Sequence, residues 1–278
     1  MGQNPLQLWK AGNPVNMETR RKSAIGRGNV DTVNYNYIFE AQEFQVNSYA
    51  IGNQYDTDVS MDSEGNFVIC WIDQQRGHNY IRLYNSSGNP VTQEFRVGTY
   101  FESQFGGRVS MNNNGDFVTV YHEEEDGIFS LYVKRYYANG ASKGSQFNIS
   151  ETSANTSSDT EVKYIAKYGV NGAVDTDSLG NFVVAWHVGR RIFMQRYLSY
   201  GNLNGTIIEV GSTVKNNIKP MPSISVNNNG DYIIVWNGQD IEDNGIYAQR
   251  YDANGAPQGS ATLVNTIETH NQINPDVT

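Results

Sequence analysis

Cysteine is almost missing: Cys70 is the single one in 278 residues. One thiol excludes an internal disulfide, so packing and hydrogen bonds must hold the chain together, but it does not fix the compartment. Basic charge is also scarce. Twenty Lys and Arg stand against 29 Asp and Glu, a formal net charge of −9. That balance argues against a nucleic-acid partner, because phosphates call for a cationic face. It leaves cations, neutral glycans and basic proteins. No apolar run approaches the roughly 20 residues that would cross a bilayer, so no membrane span is expected. The opening MGQNPLQLWKAGNP lacks the apolar stretch of a secretory leader. There is no Gly-x-Ser-x-Gly elbow, no phosphate loop and no HExxH pair.

What is present is aromatic residues and turn formers, with 18 Tyr, 11 Phe and 27 Gly. Aromatic and β-branched residues suit pleated sheets. Residues 115–145 read GDFVTVYHEEEDGIFSLYVKRYYANGASKGS, and residues 230–260 read GDYIIVWNGQDIEDNGIYAQRYDANGAPQGS. The aromatic after the Gly-Asn/Asp pair recurs at Phe67, Phe117, Phe182 and Tyr232, at intervals of 50, 65 and 50. A branched residue precedes each by eight positions: Val59, Val109, Val174 and Ile224. An arginine recurs at Arg82, Arg135, Arg196 and Arg250, and an EFQV-like segment follows each. A fixed order of markers at a fixed period signals a repeat architecture.

Each unit holds four short strands joined by tight Asn/Asp/Gly turns, hence an antiparallel meander. The second strands, VICW, VTVY, VVAW and IIVW, are nearly continuous apolar runs. A sheet with one wet face would alternate instead. Both faces are therefore expected to be buried, with successive sheets stacked. The expected fold is all-β: a β-propeller-like array of four-stranded antiparallel meanders, four full blades plus a split fifth. The full units span about 58–97, 108–149, 173–210 and 223–264, with 30–46 and 275–278 as parts of the split unit. The second strand of that unit either comes from residues 13–26 or lies in a longer array. Residues 1–29 form a basic extension on an acidic body, which suits self-association.

The string GDYIIVW, IYAQRYDANG and EFQVN resembles a repeat of roughly 50 residues found in large secreted and surface proteins of bacteria, often beside RTX-type or cadherin-like modules. The resemblance implies an extracellular, cell-surface, non-catalytic module and no specific ligand. The Asn-rich turns and the insertion near 152–172 depart from the pattern.

Variable loops on a rigid frame are the expected binding face. They carry His122 and His187 in one register, whose metal ring is broken by Ile72 and Asn237 in the other units. They also carry Glu123, Glu124, Glu125 and Asp126, with Asp240, Glu242 and Asp243 in the matching loop. Clustered carboxylates suit Ca²⁺, while a solvated acidic loop is the plainer reading. Tyr164 and Tyr168 in the insertion could stack on a sugar or a partner. Asp62, Glu64 and Asp177 in the first turns are candidate calcium ligands, although turn geometry alone explains those positions. No cofactor is required. The expected function is a non-enzymatic extracellular module for adhesion or surface assembly, its partners being other copies or a cell-surface protein or glycan. The alternatives are a glycan-binding propeller and a carbohydrate-active enzyme.

Overall fold

A computed structural model of the chain describes residues 7–9, 43–98, 104–125, 128–149, 172–212, 220–239, 244–267 and 269–278. Two short strands, β1 (Gln7–Trp9) and β2 (Glu43–Gln45), pair antiparallel. Four sheets follow. Blade 1 is β3 (Gln54–Met61), β4 (Phe67–Asp73), β5 (His78–Tyr84) and β6 (Phe95–Arg96). Blade 2 is β7 (Gln104–Met111), β8 (Phe117–Glu125), β9 (Ile128–Tyr136) and β10 (Phe147–Asn148). Blade 3 is β11 (Gly172–Thr176), β12 (Phe182–Val188), β13 (Arg191–Tyr197) and β14 (Ile208–Ser212). Blade 4 is β15 (Ser223–Val226), β16 (Tyr232–Gln239), β17 (Asn244–Tyr251) and β18 (Thr262–Leu263). Each blade is a simple meander, and the first strands β3, β7, β11 and β15 adjoin in order to form an inner wall. Among the described residues there is no helix.

The hairpin turns are built from one repeated device. Asp62 Oδ1 accepts from the amides of Glu64 and Asn66 at 2.9 and 2.8 Å. Asp177 does the same for Leu179 and Asn181. Asn112 and Asn227 occupy the same place and accept the same bonds through their amide oxygens. The glycine three residues on (Gly65, Gly115, Gly180, Gly230) has φ between +80° and +87°, a region nearly closed to residues with a Cβ. The next residue ties this turn to the other turn of its blade. Asn66, Asp116, Asn181 and Asp231 accept the amides of Ser86, Ala138, Ser199 and Ala253 at 3.1 Å. The Gly-Asn/Asp pair of the repeat is thus a hinge and a latch.

The apolar second strands lie where both faces are covered, and every residue of β12 is buried. One face of β4, through Val68 and Cys70, packs on Val109, Met111 and Tyr121 of blade 2. Val118 and Val120 pack on Phe182, Val184 and Trp186 of blade 3. Val183 and Ala185 pack on Tyr232, Ile234 and Trp236 of blade 4. The landmark aromatics stack on the tyrosine opposite: Phe67 on Tyr84, Phe117 on Tyr136, Phe182 on Tyr197 and Tyr232 on Tyr251, with centroids 4.9–5.0 Å apart. Such pairs add about 0.5–1.5 kcal/mol beyond area burial.

Two alignments made from sequence need correction. Arg82 is not the counterpart of the other three arginines. Val118 faces Arg135, Val183 faces Arg196 and Ile233 faces Arg250, but Val68 faces Leu83. Arg82 is one residue off, and a shift of one turns a side chain to the other face. Its Nη1 donates to the Val46 carbonyl at 2.8 Å, back toward the start of the chain. Glu43–Gln45, expected to continue residues 30–42 as the end of the split unit, pairs instead with Gln7–Trp9 in a two-stranded sheet. Residues 30–41 lie outside the described residues.

Candidate functional site

The charged residues of the inner wall sit where the first strands depart from one another. One position before the branched landmark stand Asp58, Arg108, Ala173 and Ser223, and one position after it stand Ser60, Ser110, Asp175 and Ser225. The Asp58 carboxylate accepts the amide of Val109 on the next blade at 2.9 Å. The Asp175 carboxylate accepts the amide of Val226 at 2.7 Å and the hydroxyl of Ser110 at 2.7 Å. Ser60 accepts the amide of Met111 at 2.9 Å. These bonds stitch neighbouring first strands together and fix the carboxylates in place.

Asp56 completes the group. It lies at a bulge between Tyr55 and Asp58 with φ +52° and forms an ion pair with Arg108 at 3.1 Å. The matching bulge of blade 2 lies between Phe105 and Arg108 and holds Gly106 at φ +56°. A Cβ on Gly106 would stand 3.2 Å from His122 Nδ1 and 3.7 Å from Asp56 Oδ2. The bulge therefore brings Asp56, Arg108 and His122 to one region of the wall. Asn274, in the sequence QINPDV that parallels QYDTDV, has φ +59°. The left-handed turn recurs in blades 1 and 2 and in this segment but not at Met221 of blade 4, and Asp, Asn and Gly tolerate it.

Loss of hydration on burial pushes the Asp58 carboxyl above the usual carboxylate range, against the Val109 amide and the Arg108 charge. Burial pushes Asp175 up too, against its bonds from Ser110 and Val226. Two wall carboxyls on different blades thus hold their protons more tightly than free aspartate. Cys70 beneath them is buried, and burial pushes its thiol up, so it stays a thiol rather than a nucleophilic thiolate.

Of the residues singled out from sequence, His122 and Glu123 are both buried. Glu123 accepts from Gln146 Nε2 at 3.0 Å. His187 is buried and lies 3.3 Å from the Gly189 carbonyl. Glu124 and Glu125 are on β8. Asp126, Asp240, Glu242, Asp243, Tyr164 and Tyr168 lie outside the described residues. Asp62 and Asp177 direct their carboxylates into their own turns, and Glu64 is exposed. Among the described residues no three His, Cys, Asp or Glu side chains are grouped to hold an ion. Sequence reasoning missed Asp56, Asp58, Arg108 and Asp175. The available signal was the break from Ser to Asp at 175 and the opposite charges at 58 and 108.

No protein-family model matches the sequence, and no curated protein matches it. Solved structures do. A protein of unknown function from Dyadobacter fermentans DSM 18053 superposes with TM-score 0.52 at 8% identity, over 81% of this chain and 68% of that one. The likeness is one of fold. An α-L-arabinanase from Penicillium chrysogenum gives 0.45 at 11% identity over 76% and 67% of the two chains. An α-L-arabinofuranosidase from Podospora anserina gives 0.45 at 8% identity over 77% and 69%. The expectation of a non-enzymatic module for adhesion or surface assembly is corrected by these comparisons, which include several glycoside hydrolases. The physical reason is that missing sequence motifs do not exclude an enzyme, because working carboxylates are set by geometry and not by a contiguous signature.

Proposed function

We propose that the protein is a carbohydrate-active enzyme that cleaves glycosidic bonds, with the inner-wall carboxyls as its working groups. The observation that carries this reading is the pair of wall carboxyls fixed by bonds to the next blade, Asp58 and Asp175, both pushed up by burial, beside the Asp56–Arg108 ion pair. Glycoside cleavage needs one carboxylic acid to protonate the leaving oxygen and one carboxylate to act as base or nucleophile. Asp58 is the acid in this reading: burial favours its protonated form, and the Val109 amide holds it in place. Asp56 supplies the charged partner, its geometry set by the left-handed bulge and by Arg108. Asp175 is a second acid on the opposite side of blade 2's first strand. With a net charge of −9 the chain suits neutral rather than acidic sugars.

The test is release of reducing ends from neutral polysaccharides (arabinan, mannan, xylan and cello-oligosaccharides) by the wild-type protein and by Asp58→Asn. Wild-type protein should release sugar from at least one of them. The variant should lose roughly 10²–10⁴-fold in kcat, the usual worth of a general acid, with oligosaccharide affinity little changed. Binding without cleavage by wild-type protein, or full activity in Asp58→Asn, would defeat the reading.

A further inference from the structure

A guanidinium clamp joins blade 2 to blade 3 and blade 3 to blade 4, and the same clamp is missing between blades 1 and 2. Arg135 Nη1 donates to the Ser199 carbonyl of blade 3 at 3.0 Å, and Arg196 Nη1 donates to the Ala253 carbonyl of blade 4 at 2.8 Å. Both carbonyls lie two residues past the tyrosine that ends the third strand, Tyr197 or Tyr251. The matching carbonyl of blade 2 is that of Ala138, two residues past Tyr136. In blade 1 the arginine register is held by Leu83, opposite Val68. A Cβ on Gly140 would stand 3.6 Å from Leu83 Cδ1, so a hydrocarbon contact with that turn survives while the charge does not. Ser199 and Ala253 are half-buried, and Ala138 is exposed.

A second cation is replaced at the same interface. The Lys143 amide donates to the Arg135 carbonyl and the Val91 amide to the Leu83 carbonyl, both at 2.8 Å, which puts Lys143 and Val91 in one register. The Lys143 ammonium pairs with Asp116 at 2.6 Å, but Val91 carries no charge and Asn66 stands where Asp116 does. The space left over differs accordingly. Beside Arg135 and Lys143, between blades 2 and 3, it is about 10 Å³. Beside Leu83 and Val91, between blades 1 and 2, it is a cleft of about 440 Å³. Asp62 and Glu64 of blade 1 and Met111 and Ala138 of blade 2 also line this cleft, and among the described residues no Lys, Arg or His borders it. Asp62 Oδ2 reaches the blade 2 wall, 3.3 Å from where a Cβ on Gly115 would stand.

We propose that this cleft binds a small free molecule carrying a guanidinium on an aliphatic chain. The guanidinium donates to the Ala138 carbonyl, as Arg135 and Arg196 do to theirs, and Asp62 and Glu64 balance its charge. The chain lies against Leu83, Val91 and Met111. A cleft of about 440 Å³ has the size of a small-molecule site. A planar fork of donors suits a carbonyl beside carboxylates. At the next two interfaces the protein supplies this group from its own sequence, and here it leaves the place to a ligand. The site is separate from Asp56, Asp58 and Asp175, none of which borders it.

The experiment is isothermal titration of the purified protein with agmatine, a butyl chain bearing a guanidinium and an ammonium, beside butylurea as an uncharged analogue. Saturable one-to-one binding of agmatine is expected, with no binding of butylurea. Leu83→Arg supplies the guanidinium found at the other two interfaces and should abolish binding while raising Tm. Val91→Lys changes a side chain that is 55% exposed, so the variant stays folded, and should weaken binding about tenfold by placing an ammonium at the cleft. Glu64→Gln should weaken it about threefold, the worth of an exposed charge pair. Agmatine that does not saturate the wild-type protein, or that binds equally well to Leu83→Arg and Val91→Lys, overturns the proposal. So does a capped Gly-Gly-Arg-Gly-Gly peptide that binds more tightly than agmatine, because the cleft would then serve a protein side chain.

Discussion

Asp175 stands where the other three blades carry Ser60, Ser110 and Ser225. Ser60 accepts one amide of the next blade; the aspartate accepts the matching amide and also the Ser110 hydroxyl. Its carboxyl is nevertheless pushed above the ordinary value of 3.8 by burial. A raised folded pKa contributes stability below the unfolded pKa, and that contribution is lost as pH rises through the folded value. Asp175→Asn cannot ionise and keeps an acceptor oxygen. The difference in Tm between variant and wild type should therefore grow more positive from pH 3 to pH 7 in thermal scans. A flat or falling difference would show that the carboxylate is stabilising when charged. The same residue illustrates a limit of sequence reading. Its chemistry was visible as a break in the repeat, but its neighbours Ser110 and Val226 lie 65 and 51 positions away.

Among the elements, the turns were the most legible and the third strands the least. Asp62, Asn112, Asp177 and Asn227 each give their turn one acceptor oxygen, and Asp62 and Asp177 use the second oxygen to accept the side-chain amides of Asn66 and Asn181. Asp62→Asn should cost less than Asp62→Ala in urea unfolding, because it keeps the acceptor of two backbone amides and loses only the bond from the Asn66 side chain, whereas Asp62→Ala should cost ~1 kcal/mol or more by leaving the backbone amides without their acceptor as well. Equal losses for both would mean that the charge itself matters there. The third strands misled because an arginine in nearly the same motif is a strong visual marker. Facing is set by the pairing partner and by period two, so Arg82, opposite Ile69, belongs with Lys134 and not with Arg135. The residue that does match Arg135 is Leu83, which packs against the Gly140 turn of blade 2.

At the scale of the molecule, stability resides in the faces between blades, and those faces are unequal. Met111 and Met61 are the same residue in the same register, one covered and one open. Met111→Ala should cost about 2–5 kcal/mol, the range for buried large-to-small changes. Met61→Ala should stay within about 0.5 kcal/mol, as surface substitutions do. Chemical denaturation of the two variants checks this. Similar losses would mean that the open face is filled in solution.

Period, strand order, turn chemistry and the double burial of the second strands were all decided by the sequence. Each depends on local backbone geometry or on the identity of residues within one unit of roughly 50. Only the tertiary structure brought Asp56, Asp58, Arg108 and Asp175 to a common wall, because first strands that adjoin in space are separated by whole blades in the chain. The cleft between blades 1 and 2 became visible for the same reason: what fills the space beside a residue is a property of the neighbouring sheet, which no single repeat encodes.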